Sequence, residues 1–462
     1  MTDFASLLLP DRGEAAHSLV PLAADSFDAW LKDQPVQVRT LADAARFRAK
    51  PGELLILPGR KDGEWSAIFG AAKAPGPWDL AAVAQKLPAG TYRIEDDSPL
   101  SGGLGWLLAH HRFDRYRAKP DPIPARILLS KDVAAIGPTV ALAEAVALVR
   151  DLVDTPAADM GPAELADAAE TIAKAHGAEF RVIKGDALDQ GYPMIAAVGR
   201  AAVRDRAPRL IEIEWGDPKH PRIAIVGKGV CFDSGGLDLK PSSAMLLMKK
   251  DMGGAAHALA LAGLVMGARL PVRLHILIPA VENAVAGDAF RPGDILRSRK
   301  GLSVEIGNTD AEGRLVLGDA LTRAGEDEPV LILDFATLTG AARVALGPDL
   351  PALFVNDDAL AADIAAAGAA VSDPTWRLPL WADYAELIKS STADINNAGE
   401  GGMAGAITAA LFLQRFTPDA TPWAHFDTFA WRPSPKPGRP KGGDALGLRA
   451  AFAMLKAKFV TQ

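Results

Sequence analysis

The sequence predicts an α/β protein: a small N-terminal α/β domain, then a larger C-terminal domain with a mainly parallel sheet flanked by helices. Three observations lead there. Short apolar runs alternate with helical stretches through the second half, the order that a parallel sheet covered on both faces requires. A long apolar-periodic helix, 134–154, stands between two parts of the chain and ends at Asp154-Thr-Pro156, since the residue before proline disfavours helix. The chain has 462 residues, more than one ordinary core holds. The expected division is 1–132 for the N-terminal α/β domain, 133–156 for a connecting helix and 157–462 for the second domain.

In the first domain, 53–57 and 126–129 predict buried strands, and 78–87 and 103–111 predict helices. Gly-Pro pairs and Lys119-Pro-Asp-Pro-Ile-Pro124 punctuate them. His110 and His111 are adjacent and point in different directions on a helix, so they read as a helix end rather than a metal site. After the connecting helix, 162–176 predicts a helix. Strands are expected at 179–183, 194–198, 210–215, 223–226, 273–279, 304–306, 330–334 and 352–355. Helices are expected at 252–267, 314–324 and 339–346. The last third adds helices at 404–414 and 446–457 and a strand at 423–427. No internal repeat or low-complexity tail is visible.

Hydrophobic residues make up 49% and charged residues 23%, a globular balance. The formal net charge of -7 gives no electrostatic reason to expect nucleic acid or an anionic membrane as partner. Cys231 stands alone, so no intrachain disulfide is available. The first residues read as neither signal peptide nor anchor, and no uninterrupted apolar run reaches bilayer length, so a cytoplasmic location is expected.

Two charged stretches carry the chemistry. The first, Val226 to Asp251, reads VGKGVCFDSGGLDLKPSSAMLLMKKD; the second is Asn308-Thr-Asp-Ala-Glu-Gly-Arg314. The first lacks the order of a phosphate loop or a dinucleotide fingerprint, and Ser234 misses the nucleophile elbow. No H-E-x-x-H occurs, and His257 and His275 stand alone, so zinc held by histidines is unsupported. What remains is a set of oxygen donors, Asp233, Asp251, Asp310 and Glu312, suited to manganese, magnesium or zinc. Four gathered carboxylates repel one another without cations, and two divalent ions remove that cost. Lys228, between two glycines, can ligate as the neutral amine beside a cation. Lys240 and Arg314 would supply fixed positive charge for an oxyanion and a bound anion. Taken singly, Asp251 would be a helix cap and Asp310 a turn former. Cys231 reads as a packed strand residue.

These residues are recognisable as a set. Val226 to Pro241, Asp251-Met-Gly-Gly-Ala-Ala256 and Asn308-Thr-Asp-Ala-Glu-Gly-Arg-Leu-Val-Leu317 resemble the leucyl (cytosol) aminopeptidase family of two-metal exopeptidases. The resemblance runs from about residue 150 to the C-terminus and is faint before residue 140, where it implies a macro-domain-like fold. It implies a tightly bound metal on Lys228, Asp233, Asp251 and Glu312, and an exchangeable metal on Asp233, Asp310 and Glu312. The metals would be manganese or zinc. Lys240 would stabilise the developing gem-diolate, and Arg314 would hold a bicarbonate ion as general base. Met248, Thr337 and Gly340 match positions that shape the first-residue pocket or touch the substrate. The implied protein is a homohexamer that releases unblocked N-terminal residues, leucine-type and others, from peptides. A specialised dipeptidase, such as a cysteinylglycine hydrolase, and a non-catalytic oligomer of the same fold are the alternatives. Ala244, Leu246, Lys249-Lys250 and Asp427-Thr-Phe-Ala-Trp431 depart from the family pattern. They bear on pocket shape and remove no ligand.

Overall fold

The structure is a computed structural model and describes residues 2–95 and 100–460. Its chain divides into two compact units, Met1–Ala147 with Ser434–Lys441, and Leu148–Pro433 with Gly442–Gln462. The division falls inside the helix Val133–Asp154 rather than at either of its ends. The first unit also takes in a short C-terminal segment that the sequence reading leaves with the second.

The first unit holds a six-stranded sheet in the order Leu8–Pro10, Arg126–Ser130, Gly90–Ile94, His17–Ala23, Trp65–Ala71, Leu54–Pro58. All neighbours are parallel except the last pair. Leu54–Pro58 is therefore an edge strand, and Ile56 is 44% exposed. The expectation of a buried strand there is corrected: one side has no neighbour to cover it. The helices at 81–86 and 103–108 are shorter than the sequence predicts. His110 and His111 follow the second one and are buried, with His110 Nδ1 2.9 Å from the Trp106 carbonyl.

The second unit is built on a nine-stranded sheet. Its order is Trp376–Arg377, Ala352–Val355, Trp423–Asp427, Leu331–Ala336, Arg222–Gly227, Arg273–Asn283, Arg209–Trp215, Glu179–Ile183, and Gly229–Asp233 also pairs with Arg273–Asn283. The centre is parallel, from Trp423–Asp427 across to Arg273–Asn283. Antiparallel pairs lie only outside it. Central strands such as Arg222–Gly227 are apolar at successive positions because both faces are covered. Ala224 and Val226 point into a core with Leu315, Leu317 and Phe412. The alternate residues Ile223 and Ile225 serve the opposite face. Helix Glu312–Gly325 and helix Gly253–Gly267 both pack on this strand. Gly253–Gly267 is apolar all round and almost wholly buried, as a helix enclosed by neighbours must be.

Two sequence expectations are corrected here. The run 194–198 is not a strand; it lies in helix Pro193–Gly199. A five-residue apolar run reads equally as buried strand or buried helix, and Pro193 at the first turn with the Asp319 carboxylate accepting from Met194 N at 2.8 Å decides for helix. The strand Ser303–Glu305 is not in the main sheet. It belongs to a three-stranded sheet, between Ile295–Arg297 and Ile395–Asn396.

Helix Val133–Asp154 is, by length and composition, long and apolar enough to cross a membrane. Glu144 and Arg150 interrupt its apolar run. Arg150 is fully buried and pairs with Asp444 at 3.3 Å, as a core helix would require of a charged residue.

Candidate active site

The strand Arg222–Gly227 delivers Lys228 to the carboxyl end of the parallel sheet, where open α/β sheets bind ligands. The Lys228 amide donates to the Phe335 carbonyl at 2.9 Å, and the Lys228 carbonyl accepts from the Ala255 amide at 2.8 Å. Its backbone is thus pinned between the neighbouring strand and helix. Its side chain passes Gly313 closely enough that any larger residue there would meet it.

A short further strand, Gly229–Asp233, escapes the sequence reading. It seats Cys231 in the core, where burial pushes the thiol up, and ends on Asp233 in register with Asn283. Asn283 Nδ2 donates to Asp233 Oδ1 at 2.9 Å and to the Thr309 carbonyl at 3.0 Å. Gly235 and Gly236 then turn the chain with φ of 89° and 66°, a conformation that favours glycine. The turn returns Lys240, whose amide donates to the Ser234 carbonyl at 2.9 Å.

The second stretch is stitched to the first. Thr309 N donates to Asp238 Oδ2 at 2.7 Å, and Asp238 N donates back to Thr309 Oγ1 at 2.8 Å. The two loops therefore meet, although some 70 residues of chain separate them. Asp310 sits on this loop and Glu312 opens helix Glu312–Gly325.

Ion pairs tie the cluster together. Lys228 Nζ lies 2.6 Å from Asp251 Oδ2 and 3.0 Å from Glu312 Oε1. Lys240 Nζ lies 2.8 Å from Asp233 Oδ2 and also contacts Asp310. Oxygens of Asp233, Asp310 and Glu312 lie within 4.8 Å of one another, as a shared cation would need. Asp251 is not a helix cap: Met252 holds that position. Its Oδ1 accepts from Thr337 Oγ1 at 2.8 Å and lies 3.1 Å from Lys250 Nζ.

The charges are coupled through burial. Burial, with the like charge of Asp233, raises Asp310 to about 6 and Glu312 to about 8. Lys228 is raised: burial pulls it down, but the carboxylates of Asp251, Glu312 and Asp233 outweigh burial. Lys240 is raised in the same way, chiefly by Asp233. Asp251 is lowered because Lys228 and Lys250 overcome its burial. Burial pulls Lys250 itself down, against Asp251. Two carboxyls held above their ordinary range in one buried place describe a site short of positive charge. Glu312 Oε2 is buried without a hydrogen-bond partner, which fits a cation ligand.

Arg314 is half-buried, and burial lowers it to about 10. Its Nη1 donates to the Asn397 carbonyl at 2.6 Å, while its Nε has no hydrogen-bond partner. Lys228, Asp233, Lys240, Met248, Asp251, Asp310, Glu312, Arg314, Thr337 and Gly340 all line one cavity of about 410 Å³.

Three supporting residues are not legible in the sequence. Asn397 is wholly buried; its Oδ1 accepts from the amides of Gly307 at 2.8 Å and Asn308 at 3.2 Å, and its Nδ2 donates to the carbonyls of Asn308 and Ala311. Asp427 accepts from the amides of Leu338 and Thr339 and from Thr339 Oγ1 at 2.6 Å, fixing the wall that includes Thr337 and Gly340. Asn283 is the third. Each lies far in sequence from what it holds, and no spacing announces it.

Comparison with known proteins matches residues 147–452 to the cytosol aminopeptidase family, catalytic domain, and residues 18–130 to the M17 aminopeptidase N-terminal domain. A probable cytosol aminopeptidase of Syntrophotalea carbinolica is 43% identical over 369 residues, covering 76% of this chain and 73% of that protein. One from Chlorobium limicola is 40% identical and covers 93% of both. Among solved structures, the cytosol aminopeptidase of Coxiella burnetii superposes with a TM-score of 0.93 at 44% identity, covering 98% of this chain and 99% of that one. The bottromycin maturation enzyme BotP, solved in complex with Mn, is similar at a TM-score of 0.86 and 33% identity, covering 96% of this chain and 100% of that one.

Proposed function

The chain belongs to the cytosol aminopeptidase family, and on that premise we propose that it is a two-metal exopeptidase that releases unblocked N-terminal amino acids from peptides. It is an aminopeptidase, and so a hydrolase. The metal-dependent mechanism and the roles of individual residues are the proposal.

The observation that carries the reading is the meeting of Lys228, Asp233, Asp251, Asp310 and Glu312 in one cavity with Lys240. Lys228, Asp233, Asp251 and Glu312 would hold one ion, and Asp233, Asp310 and Glu312 the other, with Asp233 and Glu312 common to both sets. When bound, two divalent ions, manganese or zinc, supply Lewis acidity for the scissile carbonyl, an activated water and an anchor for the free α-amine. The buried, unpartnered Glu312 Oε2 and the raised Glu312 and Asp310 carboxyls support that fit. Lys240, released from Asp233 and Asp310, would present its ammonium to the oxyanion that develops on the carbonyl. Arg314, whose Nε has no hydrogen-bond partner, would hold a small anion such as bicarbonate as the proton acceptor. Asp427 and Thr337 keep the substrate wall in place. A cytoplasmic location is part of the reading and rests on the relatives' names. The homohexamer rests on the family resemblance alone.

The test is hydrolysis of leucyl anilides and dipeptides with added Mn²⁺. Turnover that Lys240→Ala lowers by at least a hundredfold is expected. No turnover of any of these substrates would remove the reading.

A further inference from the structure

The first-residue part of the cavity carries charge that an aliphatic side chain could not satisfy. Lys250 is buried and Arg343 is exposed, and both line the same cavity. They stand against one aromatic ring: Lys250 Nζ is 5.8 Å and Arg343 Cζ 4.7 Å from the centroid of Phe429, which also lines the cavity. Each cation is tied to a residue of the implied first-residue pocket. Lys250 shares Asp251 Oδ1 with Thr337 Oγ1, at 3.1 and 2.8 Å. Arg343 Nη2 lies 3.7 Å from the space beside Gly340 that a side chain there would fill.

Their compensation is thin. Arg343 makes no ion pair among the described residues, only its contact with Phe429. Asp251 is the carboxylate that faces Lys250, and its charge is shared with Lys228. Asp427 also lines the cavity, but its oxygens are occupied by Leu338 and Thr339. Asp233, Asp310 and Glu312 lie at the other ammonium groups, Lys240 and Lys228. Divalent ions drawing on Asp251 would leave Lys250 less compensated still. Phe429, half-buried, presents its ring to the same cavity. A leucine entering this wall would strip water from Arg343 and offer neither cation a hydrogen bond, whereas a carboxylate would return charge-assisted ones.

We propose that Lys250 and Arg343, set against Phe429, select peptides whose first residue carries a carboxylate side chain, glutamate or aspartate. This rests on the aminopeptidase reading of the same cavity. Lys250 and Arg343 are then specificity-determining residues, in contact with the substrate side chain.

The experiment compares kcat/KM of the Mn²⁺-loaded full chain on glutamyl, aspartyl, leucyl and lysyl anilides, none of which has a C-terminal carboxylate. The expected result is a glutamyl or aspartyl rate above the leucyl rate. Arg343→Met and Lys250→Met should each lower the glutamyl-to-leucyl ratio at least tenfold, mainly through KM for the glutamyl substrate. Phe429→Ala should raise leucyl turnover severalfold. Arg343 is exposed, so its variant tests the idea even where Lys250→Met folds poorly. A leucyl preference that both variants leave unchanged overturns the inference and leaves the aminopeptidase intact. A gain confined to leucyl-glycine over leucyl anilide, lost in the variants, would assign the cations to the peptide's C-terminus and also overturn it. Absence of turnover on every substrate removes the underlying reading and this inference together.

Discussion

Gly313 and Lys228 compete for one volume: a Cβ on Gly313 would lie 2.6 Å from Lys228 Nζ. The amine that the proposed metal site needs therefore reaches Asp251 and Glu312 only because residue 313 has no side chain.

Gly313→Ala should lose the site and cost some stability. The new methyl would meet Cδ, Cε and Nζ of a buried lysine paired to Asp251 and Glu312, so moving it leaves buried carboxylates unpaired. The melting temperature should fall, while metal affinity falls at least tenfold, about 1.4 kcal/mol. Metal content after dialysis, beside a melting curve, checks this; full metal retention would detach Lys228 from metal binding.

Asp310→Asn should separate the two proposed ions. Asp310 groups with Asp233 and Glu312, whereas Asp251 sits apart at Lys228 and Lys250. The exchangeable ion should leave on dialysis while about one equivalent stays bound. Equal loss of both would show that the ligand assignment is wrong.

Asn397→Ala should loosen the loop that carries Asp310. Four hydrogen bonds from one buried side chain hold residues 307–311. At a net value of about 1 kcal/mol each, the loss is about 2–4 kcal/mol of unfolding free energy. Urea unfolding measures it, and kcat should fall further than stability alone explains, because Arg314 also leans on the Asn397 carbonyl.

Acid should unfold the second unit partly through Glu212. Burial raises this carboxyl, but the nearby His275 ring, 3.7 Å away, and the hydrogen bonds from Arg181 overcome it and bring it to about 2, below its ordinary 4.5. Arg323 also lies 3.2 Å from it. A depressed carboxylate stabilises the fold above the unfolded value, and that contribution is lost as pH falls from 4.5 towards 2. Glu212→Gln should therefore cost about 3 kcal/mol at neutral pH and much less near pH 2. Chemical unfolding of both forms across that range tests the sign. An equal cost at every pH would show that the charge of Glu212 contributes nothing.

The periodic parts of the chain were legible from sequence. Arg222–Gly227, Glu179–Ile183 and Trp423–Asp427 are strands because their apolar runs are the right length and bounded by turn residues. Helix Pro162–His176 shows its ends through Pro162 and Gly177. The run at 194–198 misled, because periodicity cannot tell a buried strand from a buried helix over five residues.

The sequence by itself determined the α/β alternation, the family and the two charged stretches, since local pattern and residue type are written along the chain. Only the tertiary structure decided how those stretches meet. The Thr309–Asp238 exchange, the side-sheet seat of Ser303–Glu305 and the clasp of Asn397 join residues distant in the chain. The same holds for Lys250 and Arg343, nearly a hundred residues apart and brought to one ring at Phe429. Such pairings depend on sheet order and loop closure, which no local spacing encodes.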